Sequence, residues 1–193
     1  MLTLALAVLL ACPQRIQVAA PSVRATTAAV TLTECGRRTL GPWQAHVGIH
    51  GLSAHHREGD GTTPLGTFAL GPTVFGLDPD PGLRLAYHRL RCGDWWDEDP
   101  QSPTYNRFRH LRCGSRPPFA GSSEALWLAP LAYRELAVIQ YNVAPAVPGR
   151  GSGIFLHVDT GHPTNGCVSL PRTRLLRLLR ALRPGAGISI SAR

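Results

Sequence analysis

The sequence predicts one mainly β domain with a single amphipathic helix, and three observations lead there. Glycine (20) and proline (17) are abundant among 193 residues while aromatics make up only 7%, a balance suited to short strands joined by turns. Several segments alternate apolar and polar residues with a period of two. Only one carries a leucine stripe at helical spacing. With 44% hydrophobic residues the chain can fill one ordinary core, and no linker divides it.

Residues 1–20 are expected to be a signal peptide. Leu2 to Ala11 is an apolar run too short to span a bilayer but suited to the centre of a secretory signal. "LLAC" at 9–12 resembles a lipoprotein cleavage box with Cys12 as the lipidated residue, and "QVAA" ending at Ala20 resembles an ordinary cleavage site. The expected mature domain is therefore 21–193, exported to the cell envelope or secreted. A buried N-terminal strand is the alternative.

The elements then follow in order. In "TTAAVTLTECGRRT", Val30 and Leu32 alternate with Thr31 and Thr33 as in a half-buried strand. "WQAHVGIHGLS" (43–53) reads as another, with Ala45, Val47 and Ile49 on one face. "REGDGTTPLGTFALG" (57–71) opens with turn signals before Phe68 and Leu70 resume alternation. "LAVIQYNV" (136–143) and "GSGIFLHV" (151–158) are further strands. "PRTRLLRLLRAL" (171–182) is the helix: Leu175, Leu178, Leu179 and Leu182 form its stripe, Arg174, Arg177 and Arg180 point away, and Pro171 suits its first turn. "ISIS" (188–191) is a last strand.

All 20 cationic residues are arginine, and against 12 acidic ones they give a net charge of +8. Such a chain is drawn to polyanions. It lacks a recognition helix, an RNA-binding aromatic motif and zinc-finger spacing, so no nucleic acid is expected as partner, whereas anionic cell-wall polymers fit.

Five cysteines are present, at 12, 35, 92, 113 and 167. "HRLRCG" (88–93) and "RHLRCG" (109–114) echo one another around a polar loop. A Cys92–Cys113 disulfide would close that loop and, in the chain-entropy model, contribute roughly 3 kcal/mol. It also accords with export, because disulfides persist in oxidising compartments. With Cys12 removed or lipidated, Cys35 and Cys167 are left over, and a bridge between those two stays open.

"FLHVDTGHPTNGCVSLP" (155–171) gathers the reactive groups. His157 ends a buried strand ten positions before Cys167, and the "HPTNG" turn brings the chain back so that thiol and imidazole can meet. Imidazole is the side chain suited to take a thiol proton near neutral pH. Gly166 allows close approach of a substrate, and its amide, with that of Cys167, could hold an oxyanion. A zinc site of His157, His162 and Cys167 matches no zinc spacing and lacks a nearby fourth ligand, so no metal is expected.

This loop, "HVDTGHPTNGCVSLP", resembles the active-site signature of bacterial L,D-transpeptidases, the YkuD-type peptidoglycan cross-linking domain. "EGDGTTPLGTFAL" (58–70) is similar to the family's Thr-Pro-x-Gly segment, and "WWDEDPQSPTYN" (95–106) and "IQYNVAPAVPGRGSGIFLH" (139–157) resemble its secreted branch in order and position. The likeness runs from about Gly48 to the C-terminus. It implies a YkuD-type β-sandwich or pseudo-barrel of mixed sheets with one helix after the catalytic cysteine. Cys167 takes the place of the nucleophile, His157 of the base, Thr164 of the Ser/Thr and Gly166 of the Gly. Asn165 stands where the family usually has His, Ser169 stands where Arg or Asn is common, and the interval from His157 to Cys167 is short for the family.

The resemblance implies an L,D-transpeptidase that forms a thioester on Cys167 with peptidoglycan stem peptides as donor and acceptor, with no cofactor. A monomer is expected. An L,D-carboxypeptidase that uses water as acceptor, and a catalytically silent cell-wall-binding module, are the alternatives.

Overall fold

Alternating apolar residues become strands along most of the chain in the computed structural model, which describes residues 12–193. In chain order the strands are β1 (Gln14–Ala20), β2 (Thr27–Glu34), β3 (Arg37–His46), β4 (Leu52–Ser53), β5 (Thr63–Pro64), β6 (Gly66–Gly76) and β7 (Ala86–Arg89). There follow β8 (Asp94–Asp97), β9 (Arg107–His110), β10 (Glu124–Ala125), β11 (Leu136–Ile139), β12 (Phe155–Val158) and β13 (Val168–Leu170). The helix α1 (Arg172–Ala181) and a final strand β14 (Gly187–Ala192) complete the fold.

Nine strands form one mixed sheet in the order β11-β12-β13-β3-β2-β1-β14-β6-β7. Because β11 also pairs with β6, eight of them close into a barrel-like ring. Side chains from one face of these strands, among them Val18, Val30, Leu156, Leu170 and Ile188, form the main core with Leu175, Leu178 and Leu179 of α1. The other face of β11 and β12 carries Leu136, Val138 and Phe155 into a second cluster. Trp96, Leu126 and Tyr133 cover that cluster from the segment holding a separate three-stranded sheet, β10-β8-β9. Mainly β architecture, with a single α-helix among the described residues, is therefore what the sequence pattern encodes.

Strand β1 corrects the expected domain start at residue 21. It lies between β2 and β14, paired to both, with Ile16 and Val18 fully buried, so a cut after Ala20 would remove a central strand. Residues 14–20 adopt the alternative, a buried N-terminal strand; the apolar run Leu2–Ala11 lies outside the described residues. Cys12 is joined to Cys35, with Cα atoms 5.1 Å apart. The bridge uses the sulfur that lipid attachment would need, and it removes Cys35 as a partner for Cys167. A second bridge joins Cys92 to Cys113 across the 94–110 hairpin, again with a Cα separation of 5.1 Å.

Two local readings also change. Ile49, placed with Ala45 and Val47 on a buried face, is 51% exposed, because β3 ends at His46 and the chain turns at residues 48–51. Pro171 precedes α1 as its cap rather than standing in its first turn.

Candidate active site

The strand β12 runs parallel to β13 in a register that sets Leu156 opposite Val168 and His157 opposite Ser169. Successive strand residues alternate between faces. Phe155 and His157 therefore point to the outer face of the ring, while Leu156 and Val158 enter the main core. Cys167, just before β13, packs against the outer cluster. Thiol and imidazole thus share a face, diagonally placed on adjacent strands.

Cys167 is the one free cysteine among the described residues. Its Sγ–H donates to the carbonyl of Gly153 and its sulfur accepts the Phe155 amide, each at 3.3 Å. Among the described residues no hydrogen bond joins it to His157. His157, 7% exposed, contacts the Val158 carbonyl through Nδ1 at 2.8 Å. A carbonyl only accepts, so Nδ1 carries the proton and Nε2 keeps its lone pair. Burial lowers the imidazole pKa, against the opposing influence of the Val158 carbonyl and Asp159. Burial raises the thiol pKa, helped by the charge of Glu124. The resting groups are therefore a neutral thiol and a neutral imidazole that keeps a free lone pair.

The "PTNG" turn is held by its own polar groups. The Thr164 hydroxyl donates to the Cys167 carbonyl at 2.6 Å and accepts the Gly166 amide at 3.2 Å. The Thr164 amide bonds the Val47 carbonyl at 2.9 Å, which sutures the turn to the end of β3. The Gly166 amide is thus engaged within the turn by the Thr164 hydroxyl. The Cys167 amide has no hydrogen-bond partner among the described residues. Gly166 is required sterically: its φ is +137°, and an added Cβ would lie 2.9 Å from the Thr62 carbonyl oxygen. Asn165 is exposed and borders the cavity at the thiol. Ser169 turns to Asp159, whose carboxylate accepts its hydroxyl at 3.2 Å and contacts His46 Nδ1 at 2.8 Å.

A cavity of about 430 Å³ opens over Cys167, lined also by Glu58, Glu98, Glu124, Ser152, Gly153 and Asn165. The chemistry-bearing groups opposite the thiol are carboxyls that the sequence reading did not single out. Glu124 accepts the Tyr133 hydroxyl, and the Tyr133 ring stands edge-on to His157 with centroids 5.8 Å apart. Glu58 accepts the hydroxyls of Tyr105 and Ser152. Burial, then the charges of Glu124, Glu58 and Asp97, push Glu98 up to about 9. Glu124 is also raised by burial. At neutral pH Glu98 is a protonated acid at the cavity wall.

Asn106 ties this wall to the sheet. Its side-chain oxygen accepts the Trp96 indole N–H at 2.9 Å and the Gly153 amide at 3.1 Å, while its amide nitrogen donates to the carbonyls of Tyr141 and Asn142. Gly153 in turn accepts the thiol proton. The loop thus fixes the hydrogen-bond partner of the Cys167 thiol. Family order and turn content in the stapled loop around Trp95 and Tyr105 suggest a wall or lid over the site, but no spacing ties Glu98 or Glu124 to Cys167.

The YkuD family model, described as the L,D-transpeptidase catalytic domain, matches residues 26–190. No curated protein matches the chain. Among solved structures it is similar to the helical cell shape determining protein Pgp2 from Campylobacter jejuni, with 14% identity and a TM-score of 0.44 over 95% of this chain. The K307A mutant of that protein is similar at 13% identity and a TM-score of 0.43, again over 95% of this chain. The chain spans about half the length of both, 51% and 49%.

Proposed function

Since the chain belongs to the L,D-transpeptidase catalytic-domain (YkuD) family, we propose that it is a cysteine-dependent acyltransferase of peptidoglycan stem peptides, with Cys167 as nucleophile and His157 as base. One observation carries the reading. The free thiol lies in an open cavity on the same strand face as a neutral imidazole whose Nε2 lone pair is free.

The chemistry follows from that arrangement. Rotation about the Cβ–Sγ bond swings the thiol proton from the Gly153 carbonyl toward His157. Nε2 takes it as sulfur attacks the carbonyl of an L-centre amide. The unpartnered Cys167 amide is the oxyanion donor nearest the forming bond. When the C–N bond breaks, the imidazolium gives its proton to the departing amine of the terminal D-residue, leaving a thioester on Cys167. An amine of a second stem then attacks the thioester, His157 accepts its proton and returns it to the sulfur, and the cross-link is released.

Incubation with defined stem tetrapeptides, followed by mass analysis of the products, tests the reading. Cross-linked dimer is the expected product. Tripeptide alone would mean that water resolves the thioester, and unchanged substrate with no adduct on Cys167 would leave a wall-binding module instead.

A further inference from the structure

Attack of a thiol on an amide creates an oxyanion, and one backbone donor at Cys167 is free to meet it. The Cys167 amide is unpartnered among the described residues, whereas the Gly166 amide is engaged by the Thr164 hydroxyl. Most polar side chains lining the same cavity are also engaged. The Ser152 hydroxyl donates to Glu58 at 2.8 Å, and the Ser122 hydroxyl donates to the Glu98 carbonyl at 3.4 Å. Glu58 further accepts the Tyr105 hydroxyl, and Glu124 accepts that of Tyr133. Asn165 stands exposed at the edge. The carboxyl of Glu98 is the group left inside.

Glu98 directly follows β8, and its backbone is held on both sides. Its amide donates to the Ser123 hydroxyl at 3.0 Å, and its carbonyl accepts Ser122. Among the described residues its carboxyl makes no hydrogen bond and no ion pair. Its place is nonetheless set by contact. Glu98 Oε1 occupies the space that a Cβ on Gly153 would fill. The carbonyl of that same Gly153 accepts the Cys167 Sγ–H at 3.3 Å. Carboxyl and thiol thus touch one residue and line one cavity. The charge of Glu98 would reach the sulfur, where with Glu124 it acts to raise the thiol. No arginine or histidine lines the cavity, and Glu124, Glu58 and Asp97 surround the group. Asp97 itself is satisfied by the Ser102 and Thr104 hydroxyls. A carboxyl so enclosed, with neither cation nor N–H to stabilise its charge, keeps its proton.

We propose that the Glu98 carboxyl O–H is a catalytic hydrogen-bond donor to the oxyanion formed at Cys167, acting together with the Cys167 amide. This rests on the acyl-transfer reading. As sulfur adds to the carbonyl carbon, the C=O π pair moves onto oxygen, and the two donors hold that oxygen. When the C–N bond breaks the carbonyl reforms, and Glu98 still has its proton. A neutral acid suits the task, because a carboxylate at the same place would repel the developing charge.

Two reagents for the Cys167 thiol separate this role from a general effect on sulfur. p-Nitrophenyl acetate acylates a thiol through a tetrahedral oxyanion and expels p-nitrophenolate. Iodoacetamide alkylates it by displacing iodide, with no oxyanion. Intact-protein mass reads both. Glu98→Ala should slow acylation about 10²-fold and leave alkylation within a few-fold. Glu98→Gln, which keeps an N–H donor, should recover most of the lost rate. In the parent, acylation relative to alkylation should fall as pH rises through about 9, and in Glu98→Gln it should not. Unchanged acylation in Glu98→Ala, equal slowing of both reactions, or the same alkaline fall in Glu98→Gln overturns the assignment, as does a Cys167 that p-nitrophenyl acetate leaves unmodified. Failure of the acyl-transfer reading looks different: p-nitrophenyl acetate acylates Cys167 while a stem tetrapeptide does not.

Discussion

The cavity at Cys167 has two walls built in different ways. The thiol's side belongs to the large sheet, where the parallel register of β12 and β13 places His157 and Cys167 on one face by strand geometry alone. The opposite side is built from loops around the three-stranded sheet, held by the Cys92–Cys113 bridge and by Asn106, and it supplies Glu98 and Glu124. The sheet wall positions the thiol and the imidazole. The loop wall adds to the electrostatics of the thiol, which burial raises with help from the charge of Glu124. Position and potency thus come from separate parts of the chain and can be disturbed separately.

The largest effect is expected on the sheet wall. His157→Gln keeps a polar side chain on the strand but removes the base, and thioester formation should slow by about 10²–10⁴-fold with an unchanged fold. Stopped-flow mass measurement of the adduct reads this. A rate within a few-fold of the original would detach His157 from the chemistry. The lowered imidazole pKa carries a pH signature. Base function should persist as pH falls past the ordinary imidazole value of about 6.5 and fail only below it. An acid limb above that value would contradict the burial of His157.

Next comes the loop wall. Cys92→Ser with Cys113→Ser removes the staple across a sequence separation of 21 residues and should cost about 3 kcal/mol in denaturant unfolding. Far-ultraviolet spectra of the large sheet should be preserved. If adduct formation also falls while the sheet remains folded, the loop wall acts on the site; unchanged rates would reduce it to a cover.

The smallest effect concerns Glu98, raised from 4.5 to about 9. Between those values the folded state holds a proton that the unfolded chain has lost, so this group makes stability fall as pH rises through that window. Glu98→Gln keeps the shape and removes the titration. The variant should gain stability on the order of 2 kcal/mol over the parent at pH 8, with little difference at pH 4. Thermal unfolding at both values reads the gap, and a gap that does not change with pH would show Glu98 to be ionised in the fold.

The same contrast explains what the amino-acid sequence revealed. Strand alternation in residues 27–33, 66–70 and 188–191 and the leucine stripe of α1 were legible because each reports one local period. Cys167 and His157 were legible because they fall within one short loop and one strand. The "LRCG" echo marked the bridged hairpin for the same reason. Residues 14–20 were misread because an apolar segment behind a short hydrophobic run satisfies both a leader and a core strand, and only pairing with β14, more than 160 residues later, decides between them. Glu98 and Glu124 reach the thiol through contacts distant in sequence, with no local spacing to announce them. The engagement of the Gly166 amide by Thr164 was not legible, because it depends on how the turn closes.

The central claim is that the sulfur of Cys167 takes up an acyl group from a stem peptide. Intact-protein mass after brief mixing with a tetrapeptide donor and acid quench measures it most directly. The expected result is a mass gain equal to the donor acyl group, mapped to Cys167 and absent from Cys167→Ser. An unshifted mass, with the Cys167 thiol still titratable after exposure to the donor, would contradict it.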